Sequence, residues 1–148
     1  MFKLKKGKFA DLLKSVGLKK TKHRILLLDL FHQSDTFLTA DDLFIRAKKI
    51  DDSISLSTVY RILDSFVESS IVSPVSLDNQ KQLSYELKHE DHAHHLICTE
   101  CQKVIHIHAC PVHKFEESLE IEHHFHVTKH KLEFYGVCEE CMNEKETN

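Results

Sequence analysis

Residues 55–77 read SLSTVYRILDSFVESSIVSPVSL, a segment in which helical periodicity gives way to strand alternation. Either Ser55 or Ser57 can cap a helix here, because a serine hydroxyl accepts a hydrogen bond from the first free backbone amides. The apolar stripe of this helix consists of Val59, Ile62, Leu63, Phe66 and Val67. The opposite face carries Thr58, Tyr60, Arg61 and Ser65. The segment therefore predicts an amphipathic helix with one buried and one exposed face.

The elements around this helix complete a recognisable domain pattern. Two alternating segments, residues 71–77 and 83–87, follow it and predict a β-hairpin. Three helices are predicted before it, the first ending at Gly17, the second capped by Thr21 and the third opened by a capping box at Thr39. Helices followed by a hairpin form a winged helix-turn-helix, whose last helix enters the DNA major groove. A generic helical domain is the alternative that pattern alone leaves open.

Charge is distributed unevenly along the 148 residues, although the net charge is only -3. Residues 1–24 carry eight lysines and one arginine against one aspartate, or +8, whereas residues 78–148 carry fourteen acids and seven bases, or -7. A basic segment on an acidic body indicates contact with a polyanion at one end, and a solubilising lysine-rich tail is the alternative. There is no apolar run of membrane-spanning length and no signal-peptide pattern, so we expect a cytoplasmic protein without a membrane partner.

Four of the five cysteines form two Cys-x-x-Cys pairs, Cys98/Cys101 and Cys138/Cys141. Two such pairs supply the four thiolates of a closed, structural zinc site with Zn–S distances of about 2.3 Å. A thioredoxin-like redox pair is the alternative for either pair taken alone. The fifth cysteine, Cys110, is most simply a helix-capping or half-buried thiol, and a metal or redox role is its alternative.

Histidines are concentrated in the second half of the chain. Eleven of the thirteen lie between His89 and His130, which is too dense for all of them to be ordinary surface or core residues. Imidazole suits Zn(II), Fe(II), Ni(II) and Cu(II), so the residue types leave the ion open. The segment from His89 to His92 lacks the His-Glu-x-x-His spacing of zinc hydrolases. We therefore predict no catalytic residue, no enzymatic activity and no small organic substrate.

The character of the sequence changes at about residue 89. After that point the pattern predicts a strand over 104–108, a helix from Pro111 to about Glu122 and a long strand over 126–138. Exposed strands in so small a domain favour dimerisation. The predicted fold class is α+β, with an N-terminal winged helix-turn-helix domain, residues 1–88, followed by a small α/β dimerisation domain, residues 89–148.

Taken together, residues 9–141 resemble the ferric uptake regulator family of bacterial metal-sensing repressors. The matching segments are 17–24, 38–43, 57–63, 92–101 and 130–141. The resemblance implies a homodimer in which a regulatory metal at the domain junction fixes two DNA-binding heads in a binding geometry. It also implies a repressor of metal-uptake genes that binds a double-stranded DNA operator.

The resemblance assigns roles to individual residues. The DNA-binding positions are Lys19, Lys20, Arg24, Ser57, Thr58, Tyr60 and Arg61. Among these, Tyr60 and Arg61 match the base-reading positions, and Lys19 matches a lysine that reaches the minor groove. The four paired cysteines match the structural zinc site. The regulatory-metal positions are Glu86, His92, His94, His95, His106, His113 and His130.

Of these regulatory positions, Glu86, His95 and His106 match the family's hinge-region site. That site is incomplete here, because Phe37 and Ala93 stand where many members have a histidine. His106 also stands where a carboxylate is common. The usual hinge site is therefore depleted or rearranged, and His89 or His92 could replace the missing ligands.

The family's second regulatory site maps onto His92, His94, His113 and His130. His94 and His113 replace the usual aspartate and glutamate, and a set of four imidazoles favours Zn(II) over Mn(II) and, less strongly, over Fe(II). The expected cofactors are thus a structural Zn²⁺ and a regulatory Zn²⁺ or Fe²⁺. We expect a zinc-responsive repressor similar to the zinc-uptake branch. Because Leu87 stands where many zinc sensors have a cysteine, an iron-responsive repressor is the alternative, followed by a peroxide sensor of the same fold.

Overall fold

The computed structural model describes residues 6–77, 82–88, 94–107 and 109–146. It divides into two compact units, Met1–Lys88 and His89–Asn148, which are taken in turn. Some of the sequence predictions fall outside the described residues, namely those for the hairpin turn at 78–81, His89, His92, Ala93 and the end of the strand at residue 108. No helix in the described part of the chain has the length and apolar character needed to cross a bilayer.

The first unit begins with the predicted helices. They are α1 (Lys6–Ser15), α2 (Lys22–Gln33), α3 (Ala40–Lys48) and α4 (Leu56–Glu68). Their boundaries follow the predicted signals: the side chains of Thr21 and Ser55 accept hydrogen bonds from the backbone amides at the starts of α2 and α4. After α1, Gly17 takes a left-handed φ of 75°, and the Leu18 amide donates to the Leu13 carbonyl at 2.8 Å. This closure satisfies a carbonyl that the helix end leaves open.

A three-stranded sheet completes the first unit. Its strands are β1 (Leu38–Thr39), β2 (Val72–Val75) and β3 (Ser84–Leu87). The order is β1-β3-β2, and β2 pairs with β3 antiparallel with Val75 opposite Ser84, which confirms the hairpin. Strand β1 was not predicted, because two residues are too few to show alternation. The winged helix-turn-helix architecture is complete in this unit.

The core of the first unit contains side chains from all four helices. The predicted stripe of α4 faces it: Val59, Ile62, Leu63 and Phe66 are buried and Val67 is half-buried. Tyr60 and Arg61 are exposed on the other side of the helix. The hydrophobic periodicity of residues 55–77 thus sets both the helix and its orientation.

The second unit contains a small sheet and two helices. Its elements are β4 (His94–Cys98), β5 (Val104–Ile107), α5 (His113–His123), β6 (Glu133–Gly136) and α6 (Glu139–Glu146). The strand order is β5-β4-β6, with β4 antiparallel to β5 and parallel to β6. The predicted strand and helix in the first part of this unit are confirmed, although the helix starts at His113 rather than Pro111.

The prediction of a long strand over 126–138 was wrong. Only Glu133–Gly136 forms a strand in this segment, and a helix follows from Glu139. The Val127 amide donates to the Glu120 carboxylate at 2.8 Å rather than to a neighbouring strand. Helix α6 was missed because its sequence, EECMNEKE, has no apolar stripe.

Candidate metal centres and nucleic-acid interface

The four paired cysteines converge at one end of the second unit. Cys98 ends β4 and Cys101 lies in the turn after it, while Cys138 precedes α6 and Cys141 lies in its first turn. The Sγ atoms of Cys98 and Cys141 are 3.9 Å apart, and those of Cys101 and Cys138 are 3.7 Å apart. A tetrahedral zinc ion with Zn–S bonds of about 2.3 Å requires edges of about 3.8 Å. The cluster therefore has the dimensions of a four-thiolate zinc site.

The electrostatics of this cluster also fit a cation. The backbone N–H groups of Cys101 and Cys138 lower the pKa of Cys98 to about 6, because they donate to its thiolate. Hydrogen bonding to the Cys138 thiol, together with burial, raises the pKa of Cys141. Four thiolates this close repel one another, so they cannot all ionise unless a positive charge lies among them. A divalent ion removes that repulsion and keeps every cysteine deprotonated.

A second group of donors lies elsewhere in the same unit. His94, Cys110 and His130 bring their ligand atoms within 4.8 Å of one another. The Nε2 atoms of His94 and His130 are 3.3 Å apart, and the Cys110 Sγ lies 3.6 Å from the His130 Nε2. The two imidazole rings stack with centroids 4.9 Å apart. His94 is only 2% exposed, and Cys110 and His130 are half-buried.

The ring of His130 is oriented from its other side by helix α5. Its Nδ1 atom lies 2.6 Å from a carboxylate oxygen of Glu116. An ionised carboxylate can only accept, so the Nδ1–H of His130 donates to Glu116 and the neutral ring presents a lone pair at Nε2. Carboxylates that hold metal-binding histidines in this way are a usual feature of metal sites.

A second pair of imidazoles lies on the opposite face of the sheet. Successive residues of a strand point to opposite faces, so the side chains of His94 and His95 diverge. His95 lies opposite His106 in the pairing of β4 with β5, and the ring centroids are 5.1 Å apart with an interplanar angle of 74°. Glu86, the third predicted member of this site, lies on β3 of the first unit. Its participation stays a prediction.

The predicted DNA-binding residues lie on α4 and on the segment that leads into α2. Ser57 and Arg61 are exposed on α4 beside Tyr60, and Thr58 is half-buried. The Arg24 guanidinium donates to the Lys19 carbonyl at 2.8 Å, which fixes the turn that carries the exposed side chains of Lys19 and Lys20. Helix α4, predicted to enter the DNA major groove, and this basic turn both present exposed side chains at the surface of the first unit.

Comparison with known proteins identifies the family. The sequence profile described as "Ferric uptake regulator family" matches residues 15–135. The ferric uptake regulation protein of Campylobacter upsaliensis is 35% identical over 136 residues, which cover 90% of this chain and 86% of that protein. This chain belongs to the ferric uptake regulator family. It is a metal-dependent transcriptional regulator and not an enzyme, and the resemblance inferred from the sequence is confirmed.

Solved structures of the ferric uptake regulator fold superpose on this chain. The Vibrio cholerae ferric uptake regulator is 28% identical, with a TM-score of 0.70 and coverage of 87% of this chain and 98% of that one. A zinc uptake regulator complexed with zinc and DNA has a TM-score of 0.71 and covers 95% of both chains. At 23% identity, that second likeness extends to the fold alone. These matches confirm the predicted architecture of a winged helix-turn-helix domain and a small α/β domain.

The structure brings together some, but not all, of the residues that were predicted to form the second regulatory metal site. His94 and His130 meet, whereas His92 lies outside the described residues. Among the residues that the structure describes, His113 lies outside the metal-ligand groups, and it is 72% exposed with its Nδ1 3.7 Å from Glu117. Among the described residues, Cys110 rather than His113 lies within 4.8 Å of the ligand atoms of His94 and His130. The sequence feature that could have identified Cys110 as a candidate ligand is its position between β5 and α5. Residue type alone did not favour Cys110 over His113 as a ligand.

Proposed function

We propose that this regulator is a cytoplasmic, homodimeric repressor of metal-uptake genes that responds to zinc. The supporting observation is the donor set of the second unit, which offers thiols at one cluster and imidazoles with a thiol at the other. Sulfur and nitrogen ligands favour borderline and soft ions such as Zn(II) over the harder Mn(II). The four-cysteine cluster would hold a structural Zn²⁺, and the histidine clusters would hold the regulatory ion.

An iron-responsive repressor is the second candidate. It is favoured by the Campylobacter upsaliensis relative, which is a ferric uptake regulation protein and matches this chain over most of its length. Imidazole also binds Fe(II), so the histidine pair His95 and His106 suits either ion. The two candidates differ in which metal, zinc or iron, changes the affinity for DNA at concentrations near the dissociation constant of that metal from the protein.

Dimerisation is supported by an apolar row across the sheet of the second unit. Leu96 of β4 pairs with Ile105 of β5 on one side and with Phe134 of β6 on the other. All three side chains are exposed in the single chain. Contiguous exposed apolar side chains of this kind mark protein interfaces, and a second copy of this chain would cover them.

The proposed mechanism is linkage between metal and DNA. A metal that binds one conformation of the dimer better than another shifts the population toward that conformation, by no more than its differential affinity. If the metal-bound conformation places two α4 helices one helical turn of DNA apart, metal binding strengthens operator binding. This mechanism uses the exposed face of α4 to bind DNA and the histidine clusters to bind metal. It involves no chemical reaction.

The test is operator binding with and without metal. An operator is first selected from a random duplex library in the presence of zinc, and binding is then titrated at fixed salt with Zn(II), Fe(II) or Mn(II). We expect zinc to tighten binding at lower free concentration than iron does. Equal affinity of the metal-depleted and metal-loaded dimers would rule out the proposed function. Tightening by iron alone would favour the second candidate.

The contribution of α4 is tested by Arg61→Ala. If Arg61 makes a bidentate base contact, its loss weakens operator binding by about 1–3 kcal/mol. Arg46→Ala is the matched control, because Arg46 is an exposed arginine on α3, outside the predicted DNA-binding surface. Gel-shift titrations on the operator and on random duplexes measure both variants. An equal loss on random DNA would make Arg61 a phosphate contact.

A further inference from the structure

We infer that Cys110 is a metal ligand, and that the second unit holds its regulatory ion on a mixed set of His94, Cys110 and His130. Glu116 acts as a positioning residue for His130. This inference rests on the proposed function and deepens it, because it names the donors of a site through which a regulatory metal acts. It replaces the imidazole of His113, expected from the family pattern, with a thiolate.

The distances within the cluster are those of a tetrahedral ion. With Zn–N bonds of about 2.0–2.1 Å and a Zn–S bond of about 2.3 Å, the N–N edge is about 3.3–3.4 Å and the N–S edge about 3.6 Å. The observed separations are 3.3 Å between the Nε2 atoms of His94 and His130, and 3.6 Å between Cys110 Sγ and His130 Nε2. Both edges therefore fit one ion placed among the three side chains.

The hydrogen bond to Glu116 gives the cluster its ligand character. Because the Nδ1–H of His130 donates to this carboxylate, the Nε2 lone pair points toward His94 and Cys110. Glu116 is half-buried, with its side chain 23% exposed, so the hydrogen bond that it accepts from His130 is partly shielded from water. A carboxylate in this position fixes the ring and raises the basicity of the coordinating nitrogen.

An ion at this place would join three segments that are distant in sequence. His94 begins β4, Cys110 precedes α5, and His130 precedes β6, and the two histidines are 36 positions apart in the chain. Helix α5 carries exposed apolar side chains, including Phe115 and Ile121, so burial holds it only weakly to the sheet. Coordination of Cys110 and the Glu116–His130 contact would fix the start of α5.

The thiolate also determines which ions the site accepts. A set of two neutral imidazoles and one thiolate is softer than the family's usual mixture of imidazole and carboxylate. It favours Zn(II) and Co(II) over Mn(II). A closed tetrahedral site would take its fourth ligand from outside these three residues or from water.

Cobalt spectroscopy of the full chain tests the inference. The protein is depleted of exchangeable metal while zinc in the four-cysteine site is retained, as verified by elemental analysis, and Co(II) is then added. We expect sulfur-to-cobalt charge-transfer absorption together with tetrahedral ligand-field bands. In Cys110→Ser the charge-transfer absorption should disappear while the zinc content of the four-cysteine site is unchanged. Persistence of that absorption in Cys110→Ser would overturn the inference.

Variants of two further residues test whether His113 is a ligand and whether Glu116 positions the ring of His130. His113→Ala should leave cobalt absorption and zinc affinity unchanged, and loss of binding in this variant would restore the family pattern and overturn the assignment. Glu116→Ala should weaken zinc binding by about 10–100-fold, as loss of such supporting residues does. Glu116→Gln should restore most of it, because the amide oxygen accepts the same hydrogen bond. Equal effects of both Glu116 variants would remove its positioning role.

The outcome is distinguishable from that of the proposed function. Loss of the cobalt charge-transfer absorption in Cys110→Ser supports the metal site whether or not metal changes operator binding. If zinc then has no effect on operator affinity, the site stands and the proposed function fails. If zinc controls operator binding in the native protein and in Cys110→Ser alike, the proposed function stands, and the inference that the regulatory ion binds at Cys110 fails.

Discussion

The first unit buries a continuous apolar core, whereas the buried residues of the second unit include candidate metal ligands. In Met1–Lys88, large side chains such as Phe9, Leu63 and Phe66 are almost completely buried. In the described part of His89–Asn148, the buried residues include His94, His95 and Cys98. Small domains bury a low fraction of their surface, and metal coordination offsets that shortfall. We therefore expect the first unit to be stabilised mainly by its apolar core, and the second unit to depend on a bound metal as well.

Removal of one zinc ligand should have the largest effect on this comparison. Cys138→Ser breaks the four-thiolate cluster, and structural zinc sites contribute apparent binding energies of about 10–16 kcal/mol at neutral pH. This exceeds the stability of most small domains, so the second unit should lose its protected amides. The first unit should keep its own. Hydrogen exchange resolved by peptide measures the two units separately.

The fifth cysteine provides the control for that experiment. Cys110→Ser removes a thiol without touching the four-cysteine cluster, so the zinc of that cluster should be retained, and any loss of protection should be confined to the segments that carry His94, Cys110 and His130. If Cys138→Ser left the second unit as protected as the native protein, folding of that unit would not depend on its structural ligands, and the comparison would fail.

A core substitution in the first unit should have the next largest effect. Leu63 is 0% exposed, and Leu63→Ala should lower the free energy of unfolding of this unit by about 2–5 kcal/mol. Leu83→Ala is the matched control, since Leu83 is 48% exposed in the same unit. Urea unfolding of both variants gives the difference. Similar losses from the two substitutions would show that burial at α4 does not carry the stability of the first unit.

The features that could be predicted from the sequence are those set by neighbouring residues. The caps at Thr21, Thr39 and Ser55 act within one helical turn, so their effect is visible in the chain itself. The four paired cysteines form two Cys-x-x-Cys motifs, and this spacing alone predicts that they meet in one four-thiolate site. The helical stripe of α4 likewise depends on a local period.

The features that escaped prediction depend on contacts between distant segments. Strand β1 forms because Leu38 pairs with Tyr85, and the residues next to Leu38 in the sequence do not predict this pairing. Cys110 and His113 are three residues apart at the start of α5, and the turn before the helix decides which of them reaches His130. The four-imidazole hypothesis rested on the positions that the family resemblance assigns, and those positions do not reveal this geometry.

A buried carboxylate should give the first unit an acid dependence of its own. The Lys22 ammonium lies 2.9 Å from Asp51, and together with the hydrogen bonds from Ser53 it holds the pKa of Asp51 well below its ordinary value of 3.8. A lowered folded-state pKa stabilises the unit above the unfolded-state value, and this contribution is lost as the pH falls through the folded-state pKa. We therefore expect the urea concentration at the unfolding midpoint of this unit to decrease once the pH is lowered below about 4.

Asp51→Asn should make that acid dependence shallower. Asp52→Asn is the matched control, because the Asp52 side chain is 94% exposed beside the buried Asp51. Both variants are measured with a chelator present, so that metal loss from the second unit does not contribute to the pH profile. An identical profile for native protein and Asp51→Asn would show that this carboxylate does not contribute to the acid response.

The smallest expected effect concerns the helix cap that follows β1. The Thr39 hydroxyl accepts from the Asp42 amide at 3.1 Å, and the Asp42 carboxylate accepts from the Thr39 amide at 3.0 Å. Thr39→Ala removes the hydroxyl half of this capping box and should cost the first unit about 1 kcal/mol. Thr39→Ser keeps the hydroxyl and should cost less, as urea unfolding will show. Because the cap is local to the first unit, zinc binding by the full chain should be the same in both variants as in the native protein. A change in zinc binding would show that the two units are not stabilised independently.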